Sequence, residues 1–227
     1  MSQSVVIDSR FSTNSDPASV AIQVNANITA TKCRLQSLSI PNSFYNVISG
    51  SNTFVCNGTT ITITPGIYDS TDLFQAVNDQ ISGVGAAVSL SARTFQSVWT
   101  TVSTLQFSSL FGFLLGFSST FSFSGTPSTI VSPKAIDLNL NKYIYVSVAQ
   151  LPKPVLIPLP GNASTYASFA VPMDVPSGNV NNFFEFEIDL NVTSHTTFSN
   201  LNVYLLGSDG NPLVGCSDWQ CVLQFIS

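Results

Sequence analysis

One stretch decides the fold class: Leu38-Ser39-Ile40-Pro41-Asn42-Ser43-Phe44-Tyr45-Asn46-Val47. Leu38 and Ile40 alternate with serines, which is the period of a half-buried β-strand. Pro41-Asn42 then breaks the strand. Phe44 and Tyr45 are expected to anchor a second extended segment as the chain re-enters the core. This pattern predicts a β protein whose strands are closely spaced along the chain.

The same two-residue alternation recurs along most of the chain. In the run 184–190, Phe184, Phe186, Ile188 and Leu190 fall on one face, and Glu185, Glu187 and Asp189 fall on the other. This is typical of an antiparallel strand with one buried side. The sequence therefore predicts an all-β, antiparallel β-sandwich, of which the eight-stranded jelly roll is one standard form. The predicted strands are 20–24, 60–64, 143–148, 184–190, 200–205 and 220–226.

One segment has helical rather than strand periodicity. After the capping residues Asp69 and Ser70, apolar residues recur at three-to-four spacing from Leu73 to Ile81, and Gly83 follows as a stop. This pattern predicts a short helix over about residues 70–82. The Pro-rich segment 149–166 is expected to form a long exposed loop, and Leu110–Phe117 a buried strand or tight turn. Asp209-Gly210 predicts a hairpin turn after Tyr204.

The chain is poor in charge. Only 8% of its 227 residues are charged, against roughly 25% in an average soluble domain. Because a lone monomer needs charged surface for solubility, we expect much of the surface to be covered in an assembly. The net charge is −5 and the seven Lys and Arg residues are scattered singly. Tight binding of a phosphate backbone needs several cations on one face, so direct nucleic-acid binding is not expected.

Targeting and thiol chemistry give further expectations. No secretory signal or membrane-spanning run is recognised. The four cysteines Cys33, Cys56, Cys216 and Cys221 are expected to be free and buried, although a local disulfide between Cys216 and Cys221 stays open. Four N-x-S/T sequons are expected to carry no function without a secretory route. They begin at Asn27, Asn57, Asn162 and Asn191.

Candidate chemistry is sparse, and no catalytic, metal-binding or cofactor-binding residue is predicted. The single histidine, His195, is expected in a polar turn, and no triad, metalloprotease or phosphate-binding motif accompanies it. Glu185 and Glu187 share a strand face, as paired glycosidase carboxylates would. A solvated or interface-facing strand surface is the favoured explanation of the pair, and an esterase or glycosidase is the least favoured function.

Three other residues were weighed as ligand-binding candidates. Asp209 is explained by the hairpin turn rather than by calcium, since the twelve-residue calcium-loop pattern is missing. Trp219 beside Asp218 could stack on a sugar, but a Trp at the start of a strand is typical of core packing. Trp99 receives the same interpretation.

Several blocks, taken in order, resemble a known family. The chain is similar to the single jelly-roll penton (vertex) proteins and related minor capsid proteins of polinton-like viruses, virophages and large eukaryotic DNA viruses. The resemblance rests on blocks at Val5–Arg10, Leu38–Val47, Ile61–Ile81, Phe113–Phe117, Tyr143–Val146, Val203–Asn211 and Trp219–Phe225. It implies an N-terminal arm over residues 1–19 and a single jelly-roll domain over residues 20–227. No inserted domain is expected beyond the segments 118–135 and 149–166.

The resemblance also implies a role. It predicts a non-enzymatic structural protein of the virion, assembled inside the host cell as a homopentamer at the icosahedral vertices. The implied partners are copies of the chain itself and the major capsid protein, with a host receptor or fibre as a further candidate. A carbohydrate- or receptor-binding β-sandwich, such as a fibre head or lectin, is the alternative, and it would expose aromatic side chains at loop tips.

Overall fold

The structure is a computed structural model that describes residues 2–14, 16–139, 141–158, 164–175, 179–184 and 189–227; for residues 24–27, 29, 158 and 193–199 it describes the backbone alone. The chain forms two compact units. Unit 1 comprises residues 1–44 and 141–227, and unit 2 comprises residues 45–140. The boundary between Phe44 and Tyr45 falls inside the stretch that decides the fold class. The sequence did not predict a second unit.

The described residues are mostly β-strand. Fourteen strands are described: β1 (Ser2–Asp8), β2 (Ser19–Pro41), β3 (Thr53–Cys56), β4 (Thr59–Thr62), β5 (Ala87–Leu90), β6 (Gln96–Phe107), β7 (Ser122–Ala135), β8 (Tyr143–Val148), β9 (Val155–Pro158), β10 (Ser164–Ala167), β11 (Phe169–Pro172), β12 (Val180–Phe184), β13 (Leu190–Leu206) and β14 (Gln220–Ile226). Two α-helices, α1 (Ser70–Ile81) and α2 (Phe111–Leu114), and two 3₁₀ turns, Ser9–Phe11 and Ser82–Val84, complete the list. The predicted all-β class and the helix near residues 70–82 are confirmed.

Unit 1 is built on two long strands, β2 and β13. They pair antiparallel from Cys33 with Leu190 to Ser19 with Tyr204, with two register shifts on the way. The full sheet has seven strands in the order β1-β14-β2-β13-β8-β11, and β12 pairs with β2 beyond the reach of β13. Strand β2 runs for 23 residues and pairs with three other strands of this sheet.

A single aliphatic cluster fills unit 1. Its members come from both ends of the sheet, from Ile7 on β1 to Val171 on β11, and include Phe44 at the end of the opening stretch. Inner residues alternate with outer residues along each strand, as in Cys221, Leu223 and Phe225 of β14. Because both halves of the sheet contribute to one core, unit 1 is a sandwich of two layers.

Unit 2 is organised around the 12-residue strand β6. One edge of β6 pairs with β3 and β5, and its other edge pairs with β7; β4 then pairs with β3. Helix α1 is capped by Asp69, whose side chain accepts the Asp72 backbone N–H at 2.8 Å, and it buries Leu73, Phe74, Val77 and Ile81. These buried residues belong to the same cluster as the inner face of the sheet.

The core of unit 2 is aromatic. The Phe54 ring stacks on Phe111 at 5.5 Å and meets Trp99 edge-on at 5.6 Å, and Phe107 bridges Trp99 to Phe117. Such ring pairs contribute about 0.5–1.5 kcal/mol each beyond area burial. The Trp99 indole is fully buried and donates to the Ser97 hydroxyl at 3.1 Å.

The segment Leu110–Phe117 is a short helix and a tight turn, not a strand. Gly116 has a φ of +83°, and a Cβ there would lie 2.2 Å from the Lys134 carbonyl oxygen. A Cβ on Gly112 would lie 2.5 Å from the Ser118 carbonyl oxygen. Both positions therefore require glycine, which explains the glycines in this apolar run. Of the two structures expected for the run, the tight turn is the one observed.

Asn57 holds together the hairpin of β3 and β4. With Gly58 it forms a two-residue turn in which φ is +48° and +79°. Its side-chain amide donates to the carbonyls of Val84 and Thr101 at 3.0 and 3.1 Å. Its oxygen accepts the Ser103 backbone N–H at 2.8 Å. Thr101, with a φ of +58°, lies at a register shift of β6, so Asn57 fixes that bulge.

Other expectations differ from the structure. Residues 2–8 of the expected arm form β1, which pairs with β14 along its whole length from Ser2–Ile226 to Asp8–Gln220. The expected long loop at 149–166 contains the β9–β10 hairpin. The Asp209-Gly210 turn exists, but the bridge at Leu206–Pro212 makes the loop longer than two residues. Asp209 stabilises this loop by accepting the Asn211 backbone N–H at 3.0 Å.

Candidate assembly surface

The outer face of four strands in unit 1 has no covering element in the part of the chain that the structure describes. On β1, β14, β2 and β12, the residues between the core positions point away from the cluster. Two cross-strand rows form this surface, which we call the uncovered face. The first row is Val6, Val222, Ser37 and Phe184; the second is Asp8, Gln220, Ser39 and Asn182.

Exposed apolar side chains lie on the two outermost strands of the uncovered face: Val6 on β1, and Phe184 with Val180 on β12, where Val180 pairs with Pro41 next to the second row. Phe184 is 71% exposed, Val6 56% and Val180 49%. The polar residues between them are Ser, Asn and Gln, and the Ser39 hydroxyl donates to Asn182 Oδ1 at 2.7 Å. Large apolar side chains with this exposure on one sheet face are typical of a protein contact rather than of free surface.

Charges lie at the two ends of this face and are paired there. At one end Arg10 donates from Nε and Nη2 to the Asp8 carboxylate, at 2.9 and 2.6 Å. This hydrogen bonding by Arg10 holds the Asp8 pKa below its usual value. The Arg10 guanidinium also lies 6.0 Å from the ring centre of the exposed Phe11. Arg10 thereby balances the charge of Asp8 at this end of the face.

At the other end Asp189 binds two cations. Arg34 approaches it at 2.8 Å and Lys32 at 3.5 Å. Burial tends to raise the pKa of Asp189, but the hydrogen bonds and charges of Arg34 and Lys32 together outweigh it and lower that pKa. Solvent screens exposed pairs of this kind, so they add little to stability.

A shallow depression of about 320 Å³ adjoins the Asp8 end. Its wall includes the apolar Pro41 and Val180 and the carboxylates of Asp8 and Asp218. Asp218 accepts from the Ser9 hydroxyl at 3.2 Å, and the same hydroxyl accepts the Trp219 backbone N–H at 2.9 Å. These bonds fasten the 3₁₀ turn after β1 to the start of β14.

The opposite outer face of unit 1 is covered. The β9–β10 hairpin lies over β8 and β13, where Ile157 and Ala167 pack with Leu206, Tyr145 and Tyr204. The outer side of the hairpin carries a directly paired Leu156 and Tyr166, each 53% exposed. We call these two residues the hairpin patch.

The candidate catalytic residues are not brought together in the described part of the chain. Glu185 and Glu187 lie outside the described residues. The backbone of His195 lies within β13, where a polar turn was expected, and its side chain is not described. Among the described residues no group of three His, Cys, Asp or Glu side chains is placed to hold a metal ion. No described helix is long and apolar enough to cross a membrane.

The tryptophan interpretation is confirmed. Trp99 is 0% and Trp219 2% exposed, so neither indole can stack on a sugar. The Trp219 indole instead donates to the Pro17 carbonyl at 2.6 Å. In the sequon at Asn57, the amide is occupied by two backbone carbonyls, so that side chain is structural. Asn162 lies outside the described residues.

All four cysteines are free thiols. Burial raises the pKa of Cys33 and Cys216 to about 12 and that of Cys56 to about 11, and it also raises that of Cys221. Thiols with such pKa values are poor nucleophiles at neutral pH. The disulfide between Cys216 and Cys221, which the sequence left undecided, is not formed; Cys221 is buried in the core on β14.

The sequence analysis missed the residues of the uncovered face. Val6 follows Val5 and precedes Ile7, so β1 carries apolar residues on both of its faces. The same holds for Phe183 and Phe184 on β12, where Phe183 packs on the core. Apolar residues at outer strand positions, such as Val6 and Phe184, were the sequence signal from which this surface could have been predicted.

Comparison with known proteins gives the fold. No protein-family model and no curated protein sequence matches the chain. A crystal structure of the mavirus penton protein superimposes with a TM-score of 0.58, covering 100% of this chain and 99% of that one at 12% identity. This chain shares the fold of that penton protein. A chain from a cryo-EM structure of the Sputnik virophage also matches, with a TM-score of 0.49, 13% identity and 99% and 97% coverage. The jelly-roll expectation for the fold is thus confirmed.

Proposed function

We propose that the chain is a structural capsid protein of a virus, the penton subunit that forms homopentamers at icosahedral vertices. The observation that carries the proposal is the end-to-end match to the mavirus penton protein, in which neither chain has a large unmatched part. A fold can serve many functions, so the surface must support the same role.

The surface of unit 1 supports it. The uncovered face offers neutral and apolar side chains in strand register, with charge pairs only at its ends. Three of the seven Lys and Arg residues, Arg10, Lys32 and Arg34 at the ends of this face, are bound to carboxylates, which makes these three less available for phosphate recognition. A protein partner of similar neutral chemistry fits this surface better than a nucleic acid does.

A ring of identical subunits fits this chemistry. One heterologous contact, repeated around an axis, closes into a cyclic assembly and covers surface on every copy. An obligate contact of this kind is more apolar than a transient one. In a vertex position the outer rim of the ring meets the neighbouring major capsid protein, which is the second partner in the proposal. The assembled particle is the location of the protein.

Negative-stain electron microscopy of the purified full chain tests the proposal. We expect class averages of rings with fivefold symmetry at micromolar concentration. Co-expression with a major capsid protein of the same virus should then place these rings at the vertices of the particles. Particles the size of single subunits at every concentration, or trimers, would contradict the penton function.

A further inference from the structure

Unit 1 presents two exposed apolar surfaces that point away from one shared core. The uncovered face lies outside β1, β14, β2 and β12, and the hairpin patch lies outside β8 and β13. The inner residues of both halves of the sheet belong to the same cluster, so the two surfaces are on opposite sides of the sandwich. One subunit can therefore use both surfaces at once, with a different neighbour on each.

The two surfaces match in chemistry. The uncovered face carries Phe184 and Val180 on its edge strand β12, and the hairpin patch is a Leu156–Tyr166 pair. Phe184 pairs with the neutral Ser37, and Leu156 and Tyr166 pair with each other, whereas the carboxylates of Asp8 and Asp218 line the depression beside Val180. The part of the face around Phe184 therefore matches the hairpin patch in chemistry. A neutral apolar surface gains from burial, at roughly 25 cal/mol per Å² of apolar area.

The size of the uncovered face also points to a self-contact. Four strands about 4.8 Å apart, each about five residues long at about 3.3 Å per residue, span roughly 19 by 17 Å. Such an area is on the order of two-fifths of the about 800 Å² that one partner gives to a stable interface. The remainder has to come from the rims of the face and from residues around the hairpin patch, which a second copy of the chain supplies and a small ligand or a single peptide strand does not.

We propose that the ring contact joins the uncovered face of one copy to the hairpin patch of the next copy, with Phe184 and Tyr166 at its centre. This inference rests on the proposed function and assigns its interface. Because the two surfaces differ, the contact is heterologous, as a closed ring requires. Because both are neutral, ionic strength should change the association little, and sulfate should strengthen it.

Lysine substitutions at exposed positions test the assignment in the full chain. Phe184→Lys should break the uncovered face and Tyr166→Lys the hairpin patch, each raising the dissociation constant at least tenfold in mass photometry. Val180→Lys has a matched control in Val131→Lys on β7, since both valines are 49% exposed. We expect Val180→Lys to weaken the ring and Val131→Lys to leave it intact. Circular dichroism melts check that each variant folds, with Phe184→Ser and Tyr166→Ser as milder replacements.

Mixing the two broken variants gives the decisive result. Phe184→Lys keeps its hairpin patch and Tyr166→Lys keeps its uncovered face, so an equal mixture should form a heterodimer that neither variant forms alone. Three results would overturn the assignment while leaving the penton function standing. They are rings of wild-type stability in both variants, a mixture that stays monomeric, and a loss of association in Val131→Lys as large as that in Val180→Lys. A wild-type chain that never associates would overturn both.

Discussion

The two units of the chain are stabilised in different ways. Unit 1 spreads its stability over two long strands and a large aliphatic cluster, and it leaves one outer face bare. Unit 2 depends on one central strand, an aromatic cluster and a few turns in which close backbone contacts allow only glycine at particular positions. The comparison indicates that the chain places its association surface in unit 1 and its tightly packed, substitution-sensitive turns in unit 2. Substitutions on unit 1 should change assembly, while substitutions at the turns of unit 2 should change stability.

The largest effect is expected at Gly116. Gly116→Val places a side chain against the Lys134 carbonyl at a positive φ, so we expect a loss of about 3 kcal/mol or more in the unfolding free energy. Urea unfolding monitored by circular dichroism measures it.

Gly50 provides the matched control for this substitution. Its φ of +82° is nearly that of Gly116, but a Cβ there meets nothing within 4 Å. Gly50→Val should therefore cost only the backbone strain, about 1–2 kcal/mol. Equal losses of unfolding free energy at the two glycines would show that φ alone, and not close packing, makes these turns sensitive to substitution.

The next effect concerns Asn57. Asn57→Asp keeps the shape and the tolerance for positive φ but removes both donors to Val84 and Thr101, so we expect a loss of about 2–3 kcal/mol at pH 7. The introduced carboxylate would face two carbonyl oxygens, which raises its pKa in the folded state. Part of the stability should therefore return as the pH falls through this raised pKa toward the unfolded Asp value of about 3.9.

Thermal melts of the Asn57→Asp variant at pH 3.5 and 7 compare the two states of that carboxyl. The wild-type chain, measured at the same two values, corrects for its other carboxylates. A variant as stable as wild type at pH 7 would show that the bulge at Thr101 does not depend on Asn57.

A smaller effect of opposite sign is expected at Phe95. This residue is 59% exposed at a φ of +54°, which is costly for a bulky side chain. Phe95→Gly should raise the unfolding free energy by about 0.5–1 kcal/mol in a urea titration. Mass photometry of the same variant should show unchanged rings. A weakened ring would mean that unit 2 also contributes to the contact between copies, which would contradict the assignment of assembly to unit 1.

The smallest effect concerns the ion pair at the end of β1. Arg10 lowers the Asp8 pKa, so the pair contributes stability above the unfolded pKa near 3.8 and loses it as the pH falls through the lower folded value. Arg10→Gln should raise the Asp8 pKa in an NMR titration and lower stability at pH 7 only slightly, because solvent screens this exposed pair. An unchanged Asp8 pKa would show that Arg10 does not bind it in solution.

Local sequence patterns predicted single elements well. The alternation at Tyr143–Val148 and Gln220–Ile226 coincides with β8 and β14, and the cap at Asp69 predicted α1. These signals depend on neighbouring residues alone, and a period of two or 3.6 carries them.

Long-range features could not be predicted in this way. Nothing local in Ser2–Asp8 says that this strand pairs with β14 at the far end of the chain, so it was expected to be an arm. Phe44 and Tyr45 were expected to re-enter one common core after the turn at Pro41-Asn42, because the separate cluster of unit 2 is visible only once residues 45–140 are packed. The uncovered face was likewise hidden, since it depends on which strands lie side by side.

Native mass spectrometry of the purified full chain tests the central claim most directly. The account predicts one dominant assembly at five times the 24.3 kDa mass of the chain, stable to added salt and lost in Phe184→Lys. A spectrum of 24.3 kDa monomers alone over the micromolar range, or a dominant species with another number of copies, would contradict it.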